Sequence, residues 1–395
     1  MFLSIIYNDL MPKVIEEERR EILKSEMLRY LSINGRASID DIARHIKMPK
    51  ATTYALFNEL VKEYRLHFVP EININDIWKF EFIKISKHKS TKREIKEEAL
   101  EKIPELGLEE YISFVKFNGA VPSEEEILNA IKDFAEPQYV AKLHGEDDLV
   151  IYEVGKSFYN VNKFIINFSK SMKKYNMIIN TSRIVTDFGF FPLRNELLDT
   201  LMLPDTSKAL LEGLNIDARG EIKEIAKRFN KKPELLLYAM DRLKRGGLLE
   251  RLTYFEAQPK NNIGGIIKIV ITNESKFIES KNKFLLELVK QKEGEHTKYT
   301  YICDIMNPSG ILFFVNLGSN EEIDNITNNF SKVLKGVEME YITITKSIFG
   351  SLGVRNFDMR YSAQYKVLES ENLVPKINSC LLYTSDAADE RSSVD

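Results

Sequence analysis

The sequence predicts an α+β fold in which two winged helix-turn-helix domains alternate with two ferredoxin-like βαββαβ domains. Two observations carry this prediction. A Phe-Gly pair, followed after four residues by Arg-Asn, begins at Phe188 and again at Phe349. Upstream of each copy, seven residues recur in the same order at one constant spacing, because 211 − 28 and 243 − 60 both equal 183. A repeat this long indicates a tandem duplication rather than a solenoid, whose period is far shorter.

The recurring residues and the expected domains follow from this spacing. Leu28, Leu31, Arg36, Ile39, Ile42, Ala43 and Leu60 match Leu211, Leu214, Arg219, Ile222, Ile225, Ala226 and Leu243. We expect a first head (winged helix-turn-helix) at 12–75, an extended wing and linking helix at 76–108, a first body (ferredoxin-like) at 109–195, a second head at 196–260 and a second body at 261–357.

Composition is that of an ordinary globular chain of several domains. The 395 residues are 44% hydrophobic and 29% charged, and the formal net charge is −3. This charge argues against a protein that coats nucleic acid by bulk attraction, but it does not exclude a local binding face. No apolar run is long enough to span a membrane. With Cys303 as the one native cysteine we expect no disulfides and a cytoplasmic location.

The C-terminal end is expected to be foreign to the fold. Residues 380–395 begin with CLLYTSDAADE, which resembles a translated adapter used in preparing sequencing libraries. The natural sequence is therefore expected to stop near Ser379, and this tail is set aside in the interpretation of the fold.

The first head has the pattern of three helices followed by an extended segment. Apolar residues recur at helical spacing from Glu16 to Leu31, and Asn34-Gly35 ends that helix. Ser38 is a predicted N-cap for a helix to Lys47, and Lys50 to Tyr64 is the third helix. Two short helices joined by a tight turn are typical of a helix-turn-helix, whose third helix enters the major groove.

Polar and cationic residues gather around the start of that third helix. Lysine suits phosphate or guanine, and hydroxyl and amide groups suit phosphates or base edges. The predicted DNA-binding residues of this head are Arg36, Arg44, Lys47, Lys50, Thr52, Thr53 and Asn58. The alternative is a winged helix used for protein contact, in a scaffold protein that does not bind DNA.

The second head repeats the helices but changes the face that would read DNA. Glu234, Leu235 and Tyr238 stand where a DNA reader needs hydrogen-bond donors. Lys231, Lys232 and Arg242 keep a basic border, so they are predicted to contact phosphates. Packing or dimerisation is the alternative role for this head.

Both bodies have the order strand, helix, strand, strand, helix, strand. In the second body the strands begin near Ile266, Tyr299, Ile311 and Val337. In the first body we place the start of the first strand at Tyr111, although a competing register takes residues 80–86 as that strand.

Head, wing and βαββαβ body in this order resemble the Lrp/AsnC family of transcription regulators. The resemblance covers most of residues 15–355, and it is carried by the text of residues 48–54, 144–151 and 243–249. It implies binding of double-stranded DNA, pairing of the bodies through their sheets, and an amino-acid-like effector bound between bodies. Family members usually carry one head and one body, so here the pair is expected to form within one chain, as an internal pseudo-dimer that can assemble further.

Four residues are candidate effector ligands. Gly145 and Asp148 lie in the turn that the family uses, and that turn is replaced by Asn307-Pro308-Ser309-Gly310 in the second body. Arg194 and Arg355 belong to the duplicated motif, where a guanidinium would suit an anionic effector. The alternative for the motif is structural, because a glycine after a strand usually marks a bend.

No cofactor, metal site or enzymatic activity is expected. The five histidines lack metal-ligand spacing, and phosphate-binding glycine loops and nucleophile elbows are absent from the sequence. Fused sirohaem decarboxylases share the double head-and-body architecture and remain a minor alternative. Their resemblance calls for paired arginines on the wing and a His-Asn-Tyr strand, where this chain has Arg251 and Glu295-His296-Thr297-Lys298-Tyr299.

Overall fold

The computed structural model describes residue 17 and residues 19–32, 34–72, 108–188, 193–201, 203–245, 248–256, 263–289, 299–317 and 319–350. The competing first strand at 80–86, the linking helix, Arg355 and the tail from 380 lie outside the described residues. No helix within these ranges is both long and apolar enough to cross a bilayer.

The first half of the chain contains one helical head and one sheet-forming body. Helix α1 (residues 19–32), α2 and α3 bury one apolar stripe each, and strand β1 follows directly. The elements are α2 (Ile39–Ile46), α3 (Lys50–Glu63), β1 (Leu66–Ile72), β2 (Glu109–Phe117), α4 (Glu124–Ile131), β3 (Pro137–His144), β4 (Leu149–Gly155), α5 (Phe158–Ser171) and β5 (Met177–Phe188).

The second half repeats this order after one short extra helix. Its elements are α6 (Asn195–Thr200), α7 (Asp205–Ile216), α8 (Ile222–Arg228), α9 (Pro233–Arg245), β6 (Leu249–Glu256), β7 (Ile263–Ile271), α10 (Glu274–Val289), β8 (Tyr299–Met306), β9 (Gly310–Leu317), α11 (Asn320–Val333) and β10 (Val337–Phe349). The order β2-α4-β3-β4-α5-β5 therefore recurs as β7-α10-β8-β9-α11-β10.

Eight strands, four from each half, close into one antiparallel barrel. The order around it is β10-β3-β4-β2-β5-β8-β9-β7. The halves meet at two seams, where β5 pairs with β8 and β10 pairs with β3. Sheet pairing of the two bodies within one chain is thus an observed feature of the mixed α/β fold.

Side chains alternate between the barrel interior and the helices outside. In β4, Val150 and Tyr152 belong to the interior cluster, while Leu149 and Ile151 pack with Phe164 under the helices. The same alternation in β9 places Phe314 inside and Phe313 outside, against α10 and α11. This period of two is what a sheet covered on both faces requires.

The two heads are joined through their wings. Strands β1 and β6 pair antiparallel over residues 66–72 and 249–256 and form a separate two-stranded sheet. Within it, Arg251 Nε lies 2.5 Å from Glu71 Oε2, and both side chains are largely buried. Burying this ion pair between the strands fixes the register of the wings, because an unpaired charge there would be costly.

Candidate nucleic-acid interface

The turn between α2 and α3 is fixed by local capping. The Ser38 side chain accepts from Asp41 N at 3.1 Å and Asp41 Oδ2 accepts from Ser38 N at 3.1 Å, which makes a capping box. The Ser38 hydroxyl also donates to Asp41 Oδ2 at 2.6 Å, and this hydrogen bond lowers the pKa of Asp41. Lys47 takes a left-handed conformation, φ 55°, and ends α2. The turn thus directs the start of α3 outwards.

Most of the predicted DNA-reading side chains are exposed, and one is not. Lys50, Thr52 and Asn58 lie on the outer face of α3 with Tyr54, which is 58% exposed. Thr53 is fully buried, and its hydroxyl donates to the Pro49 carbonyl at 3.1 Å. The prediction that Thr53 meets DNA is therefore corrected, because its side chain points into the head and is satisfied there.

The cations of the first head are partly neutralised by its own acids. Lys50 Nζ lies 2.9 Å from Asp40 Oδ1, and Arg44 pairs with Asp41 one turn away. All four side chains lie near the surface, where such pairs are weak and exchange with water or other anions. Lys47, at the turn, is exposed as well.

The second head presents the more open cationic surface. Lys227, Arg228 and Lys232 are exposed and Lys231 is half-buried, around the turn between α8 and α9. Within the described ranges none of the four side chains forms an ion pair. Sequence analysis identified Lys231 and Lys232 but missed Lys227 and Arg228, which the offset of 183 pairs with Arg44 and His45.

Two apolar or aromatic side chains are exposed on the second reading face. Leu235 is 47% and Tyr238 is 62% exposed, at the positions of Thr52 and Ala55 in the first head. Arg242 lies further along α9 and is half-buried, so its guanidinium is at the rim of this face.

Arg36 lies between the heads and not on the outer face. Its Nη2 donates to the Gly220 carbonyl at 3.1 Å. Its partner in the repeat, Arg219, donates to the carbonyls of Gly35 at 2.6 Å and Ala37 at 2.9 Å. The two arginines thus bind each other's turn across an approximate twofold relation. The prediction that Arg36 grips DNA is corrected accordingly.

The candidate effector turn is tied to both halves. Asp148 Oδ2 accepts from Phe117 N at 2.6 Å, so this carboxylate secures the hairpin. A Cβ on Gly145 would lie 3.3 Å from Ile342 of the second half. The neighbouring Asp147, not predicted from sequence, is buried with its Oδ2 4.0 Å from Lys268 Nζ. Burial raises the pKa of Asp147.

Arg194 has a structural environment. Its Nη1 donates to the carbonyls of Phe134 at 2.8 Å and Pro137 at 3.1 Å. The guanidinium carbon lies 4.3 Å from the centre of the Phe349 ring, which belongs to the second copy of the motif. The duplicated segment therefore fastens β10 to the first body. This favours the structural alternative over effector binding for Arg194.

A polar group buried under the helices of the first body also escaped sequence analysis. Ser113 Oγ lies 2.9 Å from Glu153 Oε1 and 2.8 Å from Thr181 Oγ1, and Glu153 is fully buried. Burial raises the pKa of Glu153 to about 8, so the carboxyl is protonated at neutral pH. In the described part of the chain, no three His, Cys, Asp or Glu residues are placed to hold a metal ion.

Comparison with known proteins finds the architecture but no sequence family. No protein-family model and no curated protein sequence matches the chain. Among solved structures, the siroheme decarboxylase NirDL aligns with 89% of this chain and 100% of its own, at 12% identity and a TM-score of 0.50. LrpC of Bacillus subtilis aligns with 36% of this chain and 95% of its own, at 16% identity and a TM-score of 0.30. An AsnC-family regulator of Pyrococcus furiosus also aligns over 36%, at a TM-score of 0.30.

The expectation that the chain is not an enzyme is corrected by the first of these matches. The double architecture that spans nearly the whole chain is also that of a solved decarboxylase, so the fold gives no ground for excluding an enzyme. At 12% identity this likeness concerns the fold alone. The two Lrp/AsnC-type regulators align with only about a third of the chain.

Proposed function

We propose that this protein is a DNA-binding transcription regulator built from two copies of a winged helix-turn-helix and a ferredoxin-like body. The single observation that carries the proposal is the outer face of α3, where Lys50, Thr52 and Asn58 are all exposed. In a helix-turn-helix this face enters the major groove with its N-terminal residues nearest the bases.

The side chains on that face have the chemistry for reading bases. Asn58 has an amide that fits the hydrogen-bonding edge of adenine, and Lys50 is suited to guanine or a phosphate. Asp40 holds Lys50 by a surface ion pair of 2.9 Å, which a phosphate can replace at little cost. Thr52, two residues after Lys50, offers a hydroxyl to a phosphate or a base edge.

The connection between the heads supports a fixed spacing of their third helices. Paired wings, the Arg251–Glu71 ion pair and the exchanged contacts of Arg36 and Arg219 link the heads directly. An amino-acid-like effector at the turn of residues 144–148 would act on the seam between the halves, where that turn meets Ile342. Binding there would favour one arrangement of the bodies, and so of the heads.

The test begins with selection of a preferred duplex from a random library, followed by fluorescence anisotropy. The triple variant Lys50→Ala, Thr52→Ala, Asn58→Ala should lose about 10- to 100-fold in affinity for the selected site, since a base contact is worth ~1–3 kcal/mol. Affinity for a random duplex should change far less. Asn162→Ala, Lys163→Ala on α5 is the matched control and should leave both affinities unchanged.

Absence of binding by the wild type at low salt would eliminate the proposal, because electrostatic contact is strongest there. If the triple variant kept the preference for the selected duplex over a random one, α3 would not be the helix that reads the bases.

A second candidate follows from the fold that spans 89% of the chain, namely decarboxylation of a sirohaem-like tetrapyrrole. The reaction would replace a carboxylate by hydrogen and release carbon dioxide. Arg251 is already paired with Glu71, so it is not a free partner for a substrate carboxylate. Anaerobic incubation with sirohaem, followed by mass spectrometry, tests this: products that have lost carbon dioxide would establish the enzyme, and unchanged sirohaem would remove it.

A further inference from the structure

We propose that the two heads divide the work of binding DNA, with the second head holding the phosphate backbone through Lys227, Arg228, Lys231 and Lys232 while the first head reads the bases. This inference rests on the proposed DNA-binding function and names the surface that supplies most of its affinity.

The second head has lost one of the two neutralising acids of the first head, because Asp41 corresponds to Glu224 and only Asp40 is replaced by a cation. In the first head, Asp40 and Asp41 pair with Lys50 and Arg44. At an offset of 183, Asp40 is replaced by Lys223. The acid that pairs with a cation at the turn of the first head has thus become a further cation in the second.

The turn between α8 and α9 concentrates positive charge. Residues 227–232 contain four cations and no acid, whereas residues 44–49 contain only Arg44, Lys47 and His45. Within the described ranges none of the four cations forms an ion pair, and three of them are exposed. The acids nearest in sequence are Glu221, Glu224 and Glu234, and all three are exposed to water on α8 or α9.

A short, hydrogen-bonded turn of the backbone presents these side chains. Asn230 takes a left-handed conformation, φ 49°, as Lys47 does in the first head. Lys231 N donates to the Ala226 carbonyl at 2.8 Å, which closes the turn after α8. The cations are therefore displayed on a short, hydrogen-bonded loop and not on a chain that must be ordered on binding.

Few groups that could read bases lie beside this loop. Leu235 and Tyr238 occupy the positions of Thr52 and Ala55, and Asp241, at the position of Asn58, pairs with Arg245. An acid so placed repels phosphate and accepts only from cytosine or adenine amino groups. A surface rich in free cations but poor in neutral donors suits contact with the phosphate backbone, which carries no sequence information.

The number of phosphates contacted can be measured from the salt dependence of binding. Each contact changes the slope of log affinity against log salt by about 0.9. Four contacts therefore correspond to a slope of about 3.6, and to a loss of roughly 100-fold in affinity between about 50 and 200 mM salt.

The experiment replaces the four cations by glutamine, as Lys227→Gln, Arg228→Gln, Lys231→Gln and Lys232→Gln, in the full chain. Anisotropy with a random 30-base-pair duplex (about three helical turns) over a salt series should give a slope about 3.6 units shallower than that of the wild type. The ratio of affinities for selected and random duplexes should stay within about 3-fold. The double variant Lys231→Gln, Lys232→Gln should give about half the change in slope.

A matched control neutralises four exposed lysines of the first body, Lys132, Lys163, Lys170 and Lys173, and should leave the slope within one unit of the wild type. Melting curves of both quadruple variants should match the wild type, since the replaced side chains form no ion pairs among the residues that the structure describes.

Each outcome decides between the two proposals. A wild type that binds no duplex overturns the proposed function. A wild type that binds while the quadruple variant keeps its slope overturns the division of labour alone, as does an equal change in the control. A collapse of the selected-to-random ratio in the variant would assign base reading to the second head.

Discussion

At the scale of single residues, Glu153 makes a prediction about pH. Its pKa is raised to about 8 in the folded protein from an ordinary value of 4.5, because burial disfavours the carboxylate. The folded state therefore keeps a proton that the unfolded chain loses. The contribution of this residue to stability is complete below pH 4.5 and is lost as pH rises towards 8, by up to about 1.4 kcal/mol per pH unit.

Glu153→Gln tests this prediction, since an amide keeps the shape and cannot ionise. The free energy of unfolding, measured with urea from pH 4 to 9, should fall more steeply with pH for the wild type than for the variant. At pH 8 the variant should be the more stable protein. Glu125→Gln, at an exposed position on α4, should follow the wild type throughout, and parallel curves for Glu153→Gln would contradict a buried neutral carboxyl.

At the scale of elements, the exchanged arginines make a prediction about how the heads are held together. Arg219 donates to two carbonyls of the first head and its guanidinium carbon lies 4.8 Å from the Phe57 ring centre. Arg219→Ala should lower the free energy of unfolding by about 1–3 kcal/mol, because two acceptors lose their donor. Arg36→Ala, which removes the reciprocal hydrogen bond to the Gly220 carbonyl, should also lower the free energy of unfolding.

Urea unfolding measures both losses, with Lys62→Ala on the exposed face of α3 as a control expected to be neutral. If Arg219→Ala were as stable as this control, the contact between the heads would not contribute to stability.

The same elements explain how far sequence reasoning reached. The predicted helix from the Ser38 cap to Lys47 is observed as Ile39–Ile46, and the predicted helix from Lys50 to Tyr64 as Lys50–Glu63. Such boundaries follow from periodicity and caps, which are local. Burial of Thr53 and the engagement of Arg36 and Arg194 depend on neighbours far along the chain, so composition and spacing could not reveal them. The free cations at Lys227 and Arg228 were missed for a related reason: pairing is a property of geometry.

At the scale of the whole molecule, the barrel seam makes a prediction about how the halves associate. Gly350 has φ +70°, and a Cβ there would lie 2.2 Å from the Gln138 carbonyl oxygen of the first body. Gly119 also has positive φ, at +129°, but a Cβ there meets nothing within 4 Å. Both glycines have positive φ, and of the two Gly350 alone is closely packed against a neighbouring strand.

Gly350→Ala should lower the melting temperature clearly more than Gly119→Ala, because only the former must displace β3 from β10. Differential scanning calorimetry measures both. Equal shifts would mean that backbone conformation alone, and not the closeness of the seam, determines the cost.

Because the four-stranded blocks of the two halves meet at two seams, a single polypeptide supplies every strand of the closed barrel. In an assembly of identical subunits, any mutation alters both sides at once. Here the two positions can differ, as Thr52 in α3 and its counterpart Leu235 in α9 do. Because both copies lie on one chain, each half can change without the other, while the shared barrel keeps the two halves together.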